Sequence, residues 1–159
     1  MDDAMKRKQA KTVYQTICQV LDAEDWHYKK DEEKLTIECG AKGEDLPIEL
    51  TIKVDADRQL VRVISMLPFT FPEDRRLNAA MAVSVVNNKL VHGCFDCSLP
   101  DGFVFFRICT TYRESLLSQE AVMYLILVAC STVDAYNDKF LMLSKDTLTL
   151  EQFIKAENK

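Results

Sequence analysis

The chain has 159 residues, of which 48% are hydrophobic and 28% are charged, and its formal net charge is -5. These values are typical of one folded domain with a well-solvated surface, so we expect residues 1–159 to form a single domain. The acidic balance lacks the basic footprint of a nucleic-acid-binding protein, and it disfavours binding to an anionic membrane surface.

The amino terminus has no apolar run after its basic residues, so it does not resemble a secretory signal peptide. The longest apolar run, residues 121–130, is far shorter than the roughly 18 residues that a membrane span needs. We therefore expect a soluble, cytoplasmic protein with no membrane segment. In that reducing compartment the six cysteines are expected to be mostly buried free thiols.

The first half of the chain predicts a helix followed by three strands. Apolar residues at helical spacing between residues 4 and 25 form one stripe: Ala10, Val13, Tyr14, Ile17, Val20 and Leu21. Alternating apolar residues predict strands at 35–39 and 48–54, and a β-branched run predicts a third at 60–66. The charged segment 29–33 is interpreted as a turn, and Gly40 and Gly43 as the limits of a loop.

A second helix is predicted from residue 72 to 88, after Pro68 and Pro72 end the third strand. Thr70 and Glu73 have the spacing of a capping box, and a proline in the first helical turn fits equally well. The stripe predicted to face the sheet consists of Leu77, Ala80, Met81, Ser84, Val85 and Asn88.

Two strands, 93–99 and 103–111, are predicted to form a hairpin around Pro100-Asp101-Gly102, with the glycine in a left-handed conformation. This turn places Leu99 opposite Phe103. It also places Cys97 opposite Phe105. The same register puts Phe95, Phe103, Phe105 and Arg107 on one face and Phe106 on the other, and we interpret these aromatic residues as core rather than as a nucleic-acid stacking platform.

Ser118 is the predicted cap of a third, strongly apolar helix, which we expect to lie between the sheet and either the first helix or a second subunit. Thr149 and Gln152 have capping-box spacing and open a short helical tail at about residues 146–157. The order α-βββ-α-ββ-α predicts an α+β fold with an antiparallel five-stranded sheet.

The stretch from about residue 63 to 140 resembles the YbjN family of bacterial proteins. Four features carry the resemblance: Met66-Leu67-Pro68-Phe69 with Phe71-Pro72-Glu73; Val86-Asn87-Asn88; His92-Gly93-Cys94-Phe95-Asp96 with Phe103-Val104-Phe105-Phe106-Arg107; and the long helix after Leu116-Leu117-Ser118. The resemblance implies the fold of type III secretion chaperones, which are often dimers. Family members carry a provisional label as sensory-transduction regulators, and that label brings no catalytic residues.

The segment 94–97 (Cys-Phe-Asp-Cys) is the one motif that suggests chemistry. A zinc site would use Cys94 and Cys97 together with His92 and Cys109, whereas a redox site would use Cys94 and Cys97 alone. Residues three apart in a strand lie about 10 Å apart and point to opposite faces, which argues against both the zinc site and the redox site. The YbjN family more often has polar residues at positions 94 and 97, so a thiol role stays open as the alternative.

The remaining patterns give no reason to expect an enzyme. The chain has no Gly-x-Ser-x-Gly elbow, no glycine loop for phosphate and no EF-hand spacing, so we predict no catalytic residue, no cofactor and no metal ligand. We predict a non-enzymatic protein-binding or chaperone-like regulatory module with an unidentified protein partner, and homodimerisation as a further expectation. The partner's apolar segment would lie along an open sheet edge or in a groove beside the helices. The alternative is a small metal-binding or thiol-redox protein that uses Cys94 and Cys97.

Overall fold

The computed structural model describes residues 2–158, which form one antiparallel sheet of six strands with helices packed against it. In chain order the elements are α1 (Asp3–Ala23), β1 (Tyr28–Asp31), β2 (Thr36–Lys42), β3 (Pro47–Asp55), β4 (Leu60–Thr70), a 3-10 turn (Glu73–Arg75), α2 (Arg76–Asn87), β5 (Cys94–Cys97), β6 (Phe103–Thr111), α3 (Gln119–Ser144) and α4 (Leu150–Glu157). The strand order across the sheet is β1-β2-β3-β4-β6-β5. The expected α+β class is confirmed, and the expected five strands are one too few.

The core lies between one face of the sheet and the helices α1 and α3. Alternate residues of β3 are buried, namely Ile48, Leu50, Ile52 and Val54, while the residues between them are exposed. The stripe predicted for α1 is the buried one. α3 packs on β4 and β6 and also contacts α1, so the first helix, rather than a second subunit, covers this part of its apolar surface.

The strand that sequence reasoning missed is β1, whose residues were interpreted as part of a charged turn. Tyr28 pairs with Cys39, and Lys30 pairs with Ile37. Two consecutive lysines hide the alternation, because Lys30 occupies a core-facing position at the margin of the sheet and stays exposed. β2 likewise runs through Gly40, which was expected to begin a loop.

β4 is longer than predicted and includes Pro68. The register between β4 and β6 shifts between Met66 and Thr70, and such irregular stretches are where a strand tolerates proline. Pro72 then precedes the 3-10 turn without a side-chain cap, so the capping-box interpretation is wrong. The α-helix begins only at Arg76.

The predicted inward stripe of α2 is also wrong. The buried residues are the small ones, Ala79, Ala82, Val83 and Val86. Leu77 is 70% exposed and Met81 is 53% exposed. α2 packs on β5, α3 and α4, and small side chains allow that close approach, so the longest apolar side chains of this helix are left outside.

The β5–β6 hairpin is shifted by one residue from the predicted register. The backbone N–H of Ser98 donates to the carbonyl of Phe103 at 2.8 Å, so Leu99 belongs to the loop. Cys97 consequently pairs with Val104. Gly102 has a φ of 76°, as the turn predicted. A longer loop around the correctly identified glycine therefore explains the error.

A shift of one residue moves side chains to the opposite face of a sheet. Phe95 therefore pairs with Phe106 on the buried face, where their ring centroids lie 5.3 Å apart. Phe103, Phe105 and Arg107 lie on the outer face instead of sharing a face with Phe95. The core interpretation thus holds for Phe95 and Phe106, whereas Phe103 is exposed.

Both predicted caps of the later helices are present. Ser118 Oγ accepts from the backbone N–H of Ala121 at 3.1 Å. The Thr149 and Gln152 side chains form both bonds of a capping box, and α4 begins at Leu150 rather than near residue 146. Across residues 2–158, none of the helices combines the length and apolarity that crossing a membrane requires.

Candidate protein-binding site

The two edges of the sheet differ in how their backbone groups are satisfied, and the β5 edge is closed. Asn87, the last residue of α2, accepts from the backbone N–H of Phe95 at 2.8 Å and donates to its carbonyl at 2.9 Å. One side-chain amide therefore stands in for a neighbouring strand at Phe95. α2 also packs along β5, so another strand cannot pair there without displacing Asn87.

The opposite edge, β1, has only β2 as a neighbour in the sheet. The N–H of Val54 donates to the carbonyl of Leu35 at 3.0 Å, which fixes the alternation of bonds along β2. Lys29 and Asp31 consequently point their backbone groups at β2. Tyr28 and Lys30 point theirs away from the sheet, where they form an open edge.

A hollow of about 620 Å³ lies beside this edge, between α1 and β1 on the core side of the sheet. Its lining is mostly polar and consists of Lys11, Tyr14, Gln15, Cys18, Gln19, Lys30, Glu32 and Leu35. Lys30 forms an exposed ion pair with Glu32 at 3.1 Å. Side chains of a strand added next to β1 would alternate, and those on the core side would enter this hollow.

A second hollow, of about 550 Å³, lies near β1 on the outer face of the sheet, around Gly40. The absence of a side chain at Gly40 leaves space between Glu38, Glu49 and Thr51. A Cβ at this position would lie 2.9 Å from the carbonyl oxygen of Ile48. One hollow therefore lies beside the open edge on the core side of the sheet, and the other lies near it on the outer face.

The tyrosine and cysteine side chains beside β1 are held in their neutral forms at neutral pH. Burial raises the pKa of Tyr14 to about 12. Burial and the hydrogen bond to Asp22 raise the pKa of Tyr28 still further, and the Tyr28 hydroxyl donates to Asp22 Oδ1 at 2.8 Å. Burial also raises the pKa of the Cys18 thiol, with partial compensation from Tyr28 and Lys30. These groups suit hydrogen bonding and packing rather than nucleophilic chemistry.

An apolar groove of about 450 Å³ runs between the end of α1 and the start of α3. Val20 and Ala23 line one wall, while Met123, Tyr124 and Leu127 line the other. Tyr124 and Leu127 are both exposed and lie three residues apart, on one side of α3. The sequence led us to expect a binding groove beside the helices, and that role for this surface stays a prediction.

The structure separates the residues of the candidate metal or thiol site. Cys97 lies on the same face of β5 as buried Phe95, whereas Cys94 points to the outer face, where it pairs with Arg107. His92 stacks on Tyr124, with ring centroids 5.6 Å apart. Within the described part of the chain, no three His, Cys, Asp or Glu side chains come together as a group that could hold a metal ion.

Sequence reasoning missed the two features that define the edges. Asn87 was noted only as part of a family motif, and nothing in the sequence alone shows that its amide would reach Phe95. The β1 edge had a weak signal, which is the two-residue spacing of the aromatic side chains Trp26 and Tyr28. The charge of the segment outweighed that signal.

The chain matches no protein-family model and no curated protein sequence. Among solved structures it is similar to YbjN from E. coli, provisionally described as a transcription regulator, with a TM-score of 0.58 and 10% identity over 77% of this chain and 87% of that one. It is also similar to a chain of the HopA1–SchA chaperone–effector complex, with a TM-score of 0.58 and 13% identity over 87% of this chain and 98% of that one. At such identities the shared feature is the fold. This chain therefore has the α+β fold of YbjN and of a chain of that chaperone–effector complex, as the resemblance implied.

Proposed function

We propose that this protein is a non-enzymatic, chaperone-like or regulatory module that binds an extended segment of another protein along β1. The observation that carries the proposal is the difference between the two sheet edges. Asn87 closes the β5 edge, whereas the backbone groups of Tyr28 and Lys30 are directed outward on the β1 edge. The similarity to a chain of a chaperone–effector complex supports a role in binding another protein.

Binding would begin with main-chain pairing. The outward N–H and C=O groups of Tyr28 and Lys30 would bond to an antiparallel or parallel segment of the partner, as in other cases of strand addition. Each such bond contributes only about 0.5–1.5 kcal/mol net, so a four-residue edge gives modest affinity by itself.

Side chains of the partner supply the rest of the affinity. Alternate side chains of the added segment would enter the hollow between α1 and β1, where Leu35 and the ring of Tyr14 are apolar and Lys11 is cationic. Full burial of one aliphatic side chain contributes about 1.5–3 kcal/mol. We therefore infer a partner segment with an apolar residue and a carboxylate on its core-facing side.

The test compares Lys30→Pro with Lys30→Ala. Proline removes the outward N–H of residue 30 and leaves the β1–β2 bonds in place, because that N–H does not take part in them. Alanine removes the same side chain and keeps the N–H. A partner isolated from native extract with the wild-type protein is then titrated against both variants.

We expect Lys30→Pro to weaken partner binding about tenfold or more, and Lys30→Ala to retain affinity within a few-fold. Circular dichroism verifies that both variants are folded. Equal affinity of the two variants would show that the partner does not pair with the β1 edge.

We also propose that two copies associate through α2. Leu77 and Met81 lie one helical turn apart on the exposed side of this helix, and both are long apolar residues. Two-fold symmetric dimers are the commonest oligomers, and in them a surface patch such as this helix face meets the same patch of the second copy. This surface is separate from β1, so a dimer would present two open edges.

A further inference from the structure

Helix α4 fills a groove between α2 and α3 through three residues on one side of the helix. Leu150 packs against the core, Phe153 is 1% exposed and Glu157 is 6% exposed. Their spacing of three and four residues places them on a single stripe. The rest of α4 is largely exposed, so this stripe provides the attachment of the helix.

Phe153 is the outermost ring of an aromatic row. Its centroid lies 5.8 Å from that of Phe140, which in turn lies 5.1 Å from that of Phe95 in the core. The groove therefore has an aromatic floor, and a ring can bind there with the tilted geometry that aromatic pairs favour.

Two lysines from separate parts of the chain converge on Glu157. Lys139 of α3 donates to it at 2.7 Å, and Lys89, just beyond the end of α2, donates at 3.1 Å. Burial alone would raise the pKa of Glu157, but the bonds from Lys139 and Lys89 outweigh burial and lower it. The groove thus recognises a carboxylate placed four residues after the aromatic side chain.

The helix α4 depends on this groove for its stability. An isolated helix of eight residues is too short to be stable in water. Residues 145–149, which connect it to α3, are mostly exposed, and Asp146 adopts a left-handed backbone with a φ of 61°. Arg75 attaches this connection through a 2.9 Å ion pair with Asp146 at the surface.

We propose that the α2–α3 groove is a second protein-binding surface, and that α4 occupies it as an intramolecular competitor. The partner it fits is an amphipathic helix of another protein with the pattern Leu-x-x-Phe-x-x-x-Glu. Other apolar residues also fit the first two named positions, and aspartate also fits the last. A helix seated in a groove is a recurrent mode of recognition. The proposal involves neither β1 nor the α2 face of Leu77 and Met81, so it stands or fails independently of the functions proposed above.

The probe for this groove is a labelled synthetic peptide with the sequence of residues 147–158. Its binding to four versions of the 159-residue chain is measured by fluorescence anisotropy: wild type, Phe153→Ala, Glu157→Gln and the control Glu151→Gln. Glu151 is an exposed acid on the same helix, so its substitution changes the charge equally without touching the groove.

We expect Phe153→Ala and Glu157→Gln to bind the peptide at least about tenfold more tightly than wild type, because an occupied groove lowers apparent affinity by the fraction that is open. Glu151→Gln should behave as wild type. A peptide carrying Phe153→Ala should bind at least about tenfold more weakly to both groove variants. Glu157→Gln keeps the test usable if Phe153→Ala fails to fold, since Lys89 and Lys139 are partly exposed and can be hydrated.

Equal affinities for wild type and the folded groove variants would overturn the proposal, and so would the absence of peptide binding to both variants. A wild-type dimer that native mass spectrometry finds dissociated by Phe153→Ala would also overturn it, because the groove would then hold α4 of a second copy.

Discussion

At the scale of single residues, Asn87 satisfies the backbone groups of Phe95 that face away from β6 on the β5 edge. Its amide forms two bonds to Phe95, so Asn87→Ala leaves a partly buried N–H and C=O unpaired. We expect a loss of about 1–3 kcal/mol in the free energy of unfolding, measured in urea. Asn88→Ala, at the exposed neighbouring position, should change it by less than about 0.5 kcal/mol. Equal midpoints for the two variants would show that Phe95 does not depend on Asn87.

Residues whose role depends on the local backbone were predictable, and those that act across the fold were not. Gly102 was identified because a hairpin turn requires a left-handed residue, and the capping box at Thr149 because its two bonds join residues three apart. Asn87 bonds to a residue in another element, and only the packing of α2 on β5 brings them together. Lys139 and Glu157 meet in the same way, across α3 and α4.

At the scale of elements, the docking of α4 should depend on pH through Glu157. Its pKa is lowered in the folded protein, so its contribution to stability is complete above the ordinary value of about 4.5 and is lost as the pH falls through the folded pKa. Glu157→Gln should therefore destabilise the protein at neutral pH, with a difference from wild type that shrinks on acidification. Thermal unfolding across this range measures the difference. Glu151→Gln serves as the control, and a gap that stays constant with pH would contradict the assignment.

The elements that were misjudged share a cause, which is that burial was inferred from hydrophobicity alone. In α2 the largest apolar residues, Leu77 and Met81, lie outside, because three elements pack closely on its small residues. In β1 the lysine at position 30 occupies a core-facing position that is exposed only because the strand lies at the margin of the sheet. Neither the neighbours of a helix nor the position of a strand within a sheet is encoded in local periodicity.

At the scale of the whole molecule, the order of the elements was the most predictable feature. Five of the six strands and all the helices occur in the expected sequence, since each is marked by its own periodicity, caps or turns. The strand order across the sheet depends on long-range pairing, and the β4–β6 neighbours, separated by α2, have no local signal. The two edges that define the candidate site follow from this order, so they could not be assigned before the fold was known.

Self-association of the whole molecule provides the last prediction. If two copies meet through α2, native mass spectrometry should find twice the chain mass for wild type and a single chain for the double variant Leu77→Glu and Met81→Glu. Two carboxylates placed in an apolar interface without partners oppose association. Both positions are exposed in the single chain, so the variant should remain folded.

The control adds the same charges at exposed apolar residues far from α2 in sequence, Met5→Glu and Leu116→Glu, and should leave the dimer intact. A monomeric wild type, or a dimer that survives the α2 substitutions, would contradict the prediction that two copies meet through Leu77 and Met81. The binding proposed at β1 would be unaffected in either case, because the open backbone groups of Tyr28 and Lys30 belong to a single chain.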